Sequence, residues 1–125
     1  MKIAISSMGK DLDSQIDPRF GRCQYFVFVD PETMEFEAFE NEGLMVSGGA
    51  GVQAAQLVVQ KGAKALITGN LGPNAASALS ASGIKVHLVA GGSVKEVTEA
   101  FKAGKLREVS GSTVPPHFGM GGRTA

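Results

Sequence analysis

Two arginines bracket an aromatic–glycine pair in Asp17-Pro18-Arg19-Phe20-Gly21-Arg22-Cys23, a run that ends on the only cysteine of the chain. Guanidinium groups grip multiply charged anions through paired hydrogen bonds, and a thiolate is a ligand that iron accepts. A second stretch, Ser47-Gly48-Gly49-Ala50-Gly51, runs straight into Val52-Gln53-Ala54-Ala55-Gln56-Leu57-Val58-Val59. Its glycines allow a sharp turn and the close approach of another surface. The first helical turn behind them leaves amide hydrogens without intrahelical partners, a natural seat for an anion. A third stretch, Gly69-Asn70-Leu71-Gly72-Pro73-Asn74, again joins an apolar run to a helix start. Amides from the two turns and charge from Arg19 and Arg22 point to an anionic ligand.

These stretches need a scaffold that brings them together. Residues 3–5 form a short apolar run that reads as a buried strand, followed by a long aperiodic segment, 7–24, punctuated by Gly9, Pro18 and Gly21. Residues 25–30 are aromatic and β-branched, and 34–40 alternate apolar and acidic side chains, as in a hairpin with a wet edge strand. A helix is expected over 52–61, ending at Gly62, then an apolar strand over 65–68. A second helix is expected from Pro73 or Asn74 to Leu79 and Gly83, then a strand over 84–89. Ser93-Val94-Lys95-Glu96 is a capping box opening a third helix with Val94, Val97, Ala100 and Phe101 on one stripe, closed by Gly104. The alternation of the second half requires parallel strands with right-handed crossovers, and the first half supplies an antiparallel edge. The expected fold is α/β, a five-stranded mixed sheet in the order 3-2-1-4-5 with strand 2 antiparallel. The domain spans 1–108 and an irregular tail 109–125. Ligands of such sheets bind beyond the carboxyl ends of the parallel strands, where the three stretches fall.

Composition removes several classes of function. Twelve basic and twelve acidic residues cancel, and with no tryptophan and one tyrosine there is neither charge nor stacking surface for nucleic acid. No run approaches the roughly 20 apolar residues that span a bilayer, and residues 1–6 are too short and strand-like for a signal peptide. A soluble, cytoplasmic protein without membrane contact is expected. One cysteine and two histidines cannot form an ordinary zinc site unaided. Gly49-Ala50-Gly51-Val52-Gln53-Ala54 formally matches a dinucleotide fingerprint. It follows an acidic antiparallel strand, however, and lacks the acidic residue about 20 positions on. No phosphate-binding P-loop is present, and Ser6 and Ser7 have no evident histidine base. The topology resembles that of ribonuclease H, but the first strand carries no metal-binding carboxylate. Asp11, Asp13 and Asp17 read as turn residues.

Taken together and in order, segments 17–23, 48–55 and 68–75 resemble the dinitrogenase iron–molybdenum cofactor biosynthesis family, which includes NifX and the C-terminal domain of NifB. The resemblance covers residues 2–106. It implies a ribonuclease H-like three-layer fold without nuclease activity. It also implies a non-enzymatic protein that binds the iron–molybdenum cofactor or an iron–sulfur precursor and carries it between metallocluster assembly proteins of nitrogen fixation. Cofactor-binding residues are then expected at Arg19, Phe20, Gly21, Arg22, Gly48, Gly49, Gly51, Gly69, Asn70 and Asn74, with Cys23 and His117 as metal ligands. Plainer roles stand beside these. Cys23 suits a buried strand start, Arg19 a salt bridge to Asp17, and Asn70 and Asn74 caps of the next helix. His117 suits a tail position without a role, and His87 suits an apolar core strand. A monomer or weak dimer is expected. Two other classes stay open: a metal-free regulatory module for a small anion or phosphate, and a protein-interaction scaffold.

Overall fold

Strand β1 (Ile3–Ser7) runs through the middle of the molecule with all five residues buried. A computed structural model describes residues 1–42 and 49–109. On one side β1 pairs antiparallel with β2 (Tyr25–Val29), which pairs antiparallel with β3 (Phe36–Glu40). On the other side it pairs parallel with β4 (Ala65–Thr68), which pairs parallel with β5 (Lys85–Leu88). A two-residue strand, β6 (Glu108–Val109), closes the far edge antiparallel to β5, giving the order β3-β2-β1-β4-β5-β6.

The period-two side chains of the central strands feed two apolar layers. Ala4, Phe26, Phe28, Leu66 and Val86 meet α1 (Ala50–Gln60) and α2 (Pro73–Ala81) through Ala54, Ala55, Val58, Ala75, Ala76 and Leu79. Ile3, Ile5, Val27, Val29, Ala65 and Ile67 meet Val94 and Val97 of α3 (Val94–Lys102) on the opposite face. Each fully buried Ile, Leu or Val contributes roughly 1.5–3 kcal/mol relative to exposure. The strands with both faces covered are therefore the stable frame. None of the described helices is long and apolar enough to cross a membrane.

The expected order of five strands is present, and the expected count is corrected to six. Two residues flanked by polar neighbours carry no detectable period, so β6 reads as tail in the sequence although Val109 pairs with Val86. β1 also runs two residues further than its apolar pattern. Ser6 and Ser7 are buried because their hydroxyls are satisfied: Ser6 Oγ donates to the Asp17 carbonyl at 2.6 Å, and Ser7 Oγ to the Gly9 carbonyl at 2.7 Å. β3 starts at Phe36 rather than residue 34, since Met34 turns the chain with φ of 65°.

The long segment after β1 is an ordered strap across the carboxyl ends of the sheet. It forms single bridges between Ser7 and Ile16, Gln15 and Ser93, and Arg19 and Asn70. Backbone bonds of 2.9 Å from Asp17 N to Ser6 O and 2.7 Å from Asn70 N to Pro18 O fix it to β1 and to the turn after β4. The approach at Pro18 depends on Gly69, because a Cβ there would lie 2.7 Å from Pro18 Cα. Gly69→Ala is expected to lower stability in urea unfolding by about 1–3 kcal/mol through overpacking. Gly91→Ala, where a Cβ meets nothing within 4 Å, is expected to change it by no more than about 0.5 kcal/mol.

Candidate functional site

Arg19–Arg22 of the strap, Gly49–Val52 at the start of α1 and Asn70–Ala75 around the start of α2 enclose one cleft of about 360 Å³. Three stretches far apart in sequence thus form a single site at the carboxyl ends of β1 and β4. A wider groove of about 770 Å³ lies beside β3, lined by Met1, Lys2, Phe28 and Glu35 among others. It faces no helix start and no arginine, so the smaller cleft is the better candidate for ligand chemistry.

The helix starts at this cleft differ from that of α3. Ser93 and Glu96 close the first turn of α3 reciprocally, at 3.1 and 2.9 Å. The N-cap residues of α1 and α2 are Gly49 and Gly72, which provide no side-chain acceptor, and neither helix has an acidic residue in its first turn. The first intrahelical bonds run from Gln53 N to Gly49 O and from Ala76 N to Gly72 O, both 3.0 Å. The amides of Ala50, Gly51, Val52, Asn74 and Ala75 come before those bonds, while Pro73 has no N–H to offer. Among the described residues nothing accepts from these five amides. Two helix dipoles and a set of unclaimed donors therefore converge on one volume, which favours negative charge.

Glycine makes the convergence possible. Gly49 sits at φ of 74°, the left-handed region where a side chain is strained. A Cβ on Gly21 would stand 3.0 Å from Gly51 N, and one on Gly51 would stand 3.3 Å from Ala75 Cβ. The strap consequently meets α1 backbone to backbone, and α1 meets the Ala75 side chain of α2 across Gly51.

Arg19 is both paired and exposed. Its Nε and Nη2 each donate to the Asp17 carboxylate at 3.1 Å, and its backbone N donates to the same group at 3.0 Å. The side chain of Arg19 is 63% exposed while that of Asp17 is 1% exposed. The hydrogen bond to Asp17, reinforced by its charge, pushes the guanidinium pKa up from an already high value, so Arg19 is a permanent cation. Asp17 is tied through its own backbone to Ser6, whose hydroxyl lies 2.7 Å from Thr68 Oγ1. The ends of β1 and β4 thereby fix the direction of an exposed charge.

The other expected site residues divide. Gly21, Arg22, Gly49, Gly51, Asn70 and Asn74 all line the cleft, as does Phe20, whose ring is buried edge-on against Phe26 at 5.3 Å. Gly69 lies behind the wall against Pro18. Asn70 and Asn74 do not cap α2, because Gly72 occupies its N-cap with no side-chain bond. Gly48 and His117 lie outside the described residues. His87 is buried in β5, edge-on to Phe101 at 5.2 Å, and does not line the cleft.

Cys23 does not reach the cleft. It is fully buried, and its thiol donates to the Phe20 carbonyl at 3.4 Å. Burial first, and the nearby Asp17 carboxylate second, push its pKa up to about 12. The thiolate that would bind iron is thus disfavoured in this conformation. Among the described residues no group of three or more His, Cys, Asp or Glu is placed to hold a metal ion.

Asn41 is a contributor that the sequence pattern did not single out. Buried just beyond β3, its amide donates to the carbonyls of Gly21 and Cys23 at 3.1 and 2.9 Å, holding the Arg19–Arg22 wall from behind. An asparagine after an edge strand reads as an ordinary turn residue, and nothing local marks its burial.

The model of the dinitrogenase iron–molybdenum cofactor family matches residues 1–104. The chain belongs to that family. Its motifs at 17–23 and 68–75 are two walls of the cleft just described. Among solved structures this family member is similar to the apo form of the orange protein from Desulfovibrio gigas. The two are 40% identical over 90% of this chain and 95% of that one, with a TM-score of 0.85. It is also similar to a NifB candidate from Thermotoga, 40% identical over 90% and 96% of the two chains with a TM-score of 0.78. An uncharacterised protein of Methanocaldococcus jannaschii is 31% identical over 112 residues, 86% of this chain and 95% of the relative.

The thiol gives a direct check on the packing behind the cleft. Unfolded, Cys23 ionises near 9.0, whereas in the fold it holds its proton to about 12. Above pH 9 the unfolded state therefore binds fewer protons, and stability falls as pH rises, by up to about 1.4 kcal/mol per pH unit. Urea unfolding between pH 8 and pH 11 is expected to show a steeper alkaline loss in the wild type than in Cys23→Ala.

Proposed function

We propose that the chain is a non-enzymatic carrier that binds an iron–molybdenum cofactor, or an iron–sulfur precursor of it, in the cleft between the starts of α1 and α2. The observation that carries this reading is the convergence of five unclaimed amides with Arg19 and Arg22. Membership of the family supplies the class of cargo, and the donor set supplies the way it is held. The described lining offers amide N–H groups, guanidinium groups and asparagine amides but neither thiolate nor imidazole. Such donors fit the outer sulfide and carboxylate atoms of an anionic cluster rather than its metal ions. Hydrogen bonds to charged acceptors are short and strong, and several together hold a cluster without any covalent step.

That mode suits delivery. A cluster held by its outer atoms leaves without a metal–protein bond having to break, so metallocluster assembly proteins at either end can take it by offering ligands. We further propose that the carrier acts as a monomer or weak dimer in the cytoplasm. A second reading, a metal-free module for phosphate or another small anion, draws on the same lack of a thiolate in the described lining.

Anaerobic titration of the purified protein with isolated iron–molybdenum cofactor, and separately with a preformed iron–sulfur cluster, tests the proposal. The readouts are visible absorption and co-elution on a sizing column. Stoichiometric co-elution is expected, weakened about tenfold or more in Arg19→Gln by loss of charge-assisted bonds, weakened by added salt, and retained in Cys23→Ala. No association with either cluster, together with a rise in melting temperature on adding phosphate, would replace the carrier with the metal-free module. Loss of binding in Cys23→Ala with Arg19→Gln unaffected would overturn the cleft as the site.

A further inference from the structure

We infer that the outer edge of β3 is a docking strand for an extended basic segment of a partner protein. β3 ends the sheet and pairs only with β2, so one row of backbone donors and acceptors over Phe36–Glu40 has no strand partner among the described residues. Such a row is a ready template for an added strand.

Charge selects the occupant. Of the twelve acidic residues, six lie between Asp30 and Glu42, a segment with no lysine or arginine, while the rest of the chain holds twelve cations against six carboxylates. Glu35, Glu37, Glu40 and Glu42 are all exposed along this edge. A second copy would bring an equally acidic strand, and like charges across a strand pair are destabilising. A strand alternating lysine or arginine with apolar residues meets attraction instead.

The flanks suit such a strand. The 770 Å³ groove borders Phe36 and Glu37, and a second groove of about 480 Å³ borders Phe39 and Glu40; in their linings Asp30, Glu35, Glu37, Glu40 and Glu42 stand against Lys2 and Lys61. Phe36 is 40% exposed. Phe39 already carries an ammonium over its ring, with Lys61 Nζ 3.9 Å from the centroid. An incoming lysine can repeat that contact along the edge.

The location ties the edge to the cleft. Asn41 follows β3 directly, bonds Gln24 O through its backbone N at 2.9 Å, and clamps the Gly21 and Cys23 carbonyls through its side chain. A strand added at β3 therefore ends one residue from the clamp behind the Arg19–Arg22 wall. The partner's role in handling cargo rests on the carrier reading, since a protein that holds an anionic cluster presents cations around it. The edge docking itself does not depend on that reading.

Amide hydrogen exchange of the full chain tests it, with a short peptide alternating lysine and valine and a counterpart alternating glutamate and valine as probes. The lysine peptide is expected to slow the outward amides of Phe36–Glu40 about tenfold when the edge is roughly nine-tenths occupied. The glutamate peptide is expected to leave them unchanged. A Glu35→Gln, Glu37→Gln, Glu40→Gln variant, altered only at exposed side chains, is expected to keep its unfolding midpoint and lose the protection. Equal protection by both peptides, protection at Glu108–Val109 instead, or none at all would overturn the proposal. So would protection of β3 that grows with protein concentration alone, which would put a second copy on the edge. Cluster binding measured on the unaltered chain separates the two readings: intact cluster binding without protection by the lysine peptide removes the docking strand and leaves the carrier standing.

Discussion

Two helices begin at the same cleft with first-turn amides that no described side chain accepts from. Amide groups in that state are normally capped, hydrated or given to a ligand, because a desolvated and unpaired N–H is costly. The third helix, with its reciprocal Ser93–Glu96 box, shows that this chain can close a helix start with its own side chains. At α1 and α2 the N-cap positions are glycines instead, and the same smallness lets the strap press Gly21 against Gly51. Donor supply thus rests on Gly49 and Gly72, and close packing on Gly21 and Gly51 beside them.

The electrostatics are organised from behind. Asp17 is buried where an unpaired carboxylate would be strongly disfavoured, and Arg19 answers it with two side-chain bonds while leaving most of its surface outside. The carboxylate does not cancel the cation so much as aim it. Ser6 and Thr68 extend that control to the ends of β1 and β4, and Asn41 does the same for the Gly21–Cys23 turn from the β3 side. The wall of the cleft is hence held by the sheet at several points, an arrangement that preorganises donors before any ligand arrives. Cys23 belongs to this support: a proton-bearing thiol filling space behind the wall.

Much of this was legible in the sequence, for identifiable reasons. Apolar runs at β1, β4 and β5 and the capping box of α3 carry local signals, so order and topology followed from them. Glycine before a helix is also a local signal, but it put the first helix at residue 52 whereas α1 already begins at Ala50; Pro73 marked the start of α2. What escaped detection depends on the folded chain. Burial of Cys23 was one of its two sequence readings and is the one the fold bears out, whereas burial of Asn41 follows from its bonds to the Gly21 and Cys23 carbonyls. β6 is two residues long and takes its pairing from β5, with no pattern of its own. Asn70 and Asn74 looked like caps by residue type, yet Gly72 holds the N-cap, because Pro73 fixes the start of α2.

The charge layout adds a division of labour to the family fold: cations at the cleft and carboxylates along the β3 edge, joined by the Asn41 clamp. Paramagnetic broadening of backbone amides on adding an iron–sulfur cluster to isotope-labelled protein reads the position of the cargo without any substitution. Binding in the cleft predicts that the amides of Ala50–Val52, Asn74–Ala75 and Arg19–Arg22 broaden first and together, while those of β3, β5 and β6 stay sharp. Broadening centred instead on β3, on His87 or on residues 110–125 would contradict the cleft as the seat of the cluster.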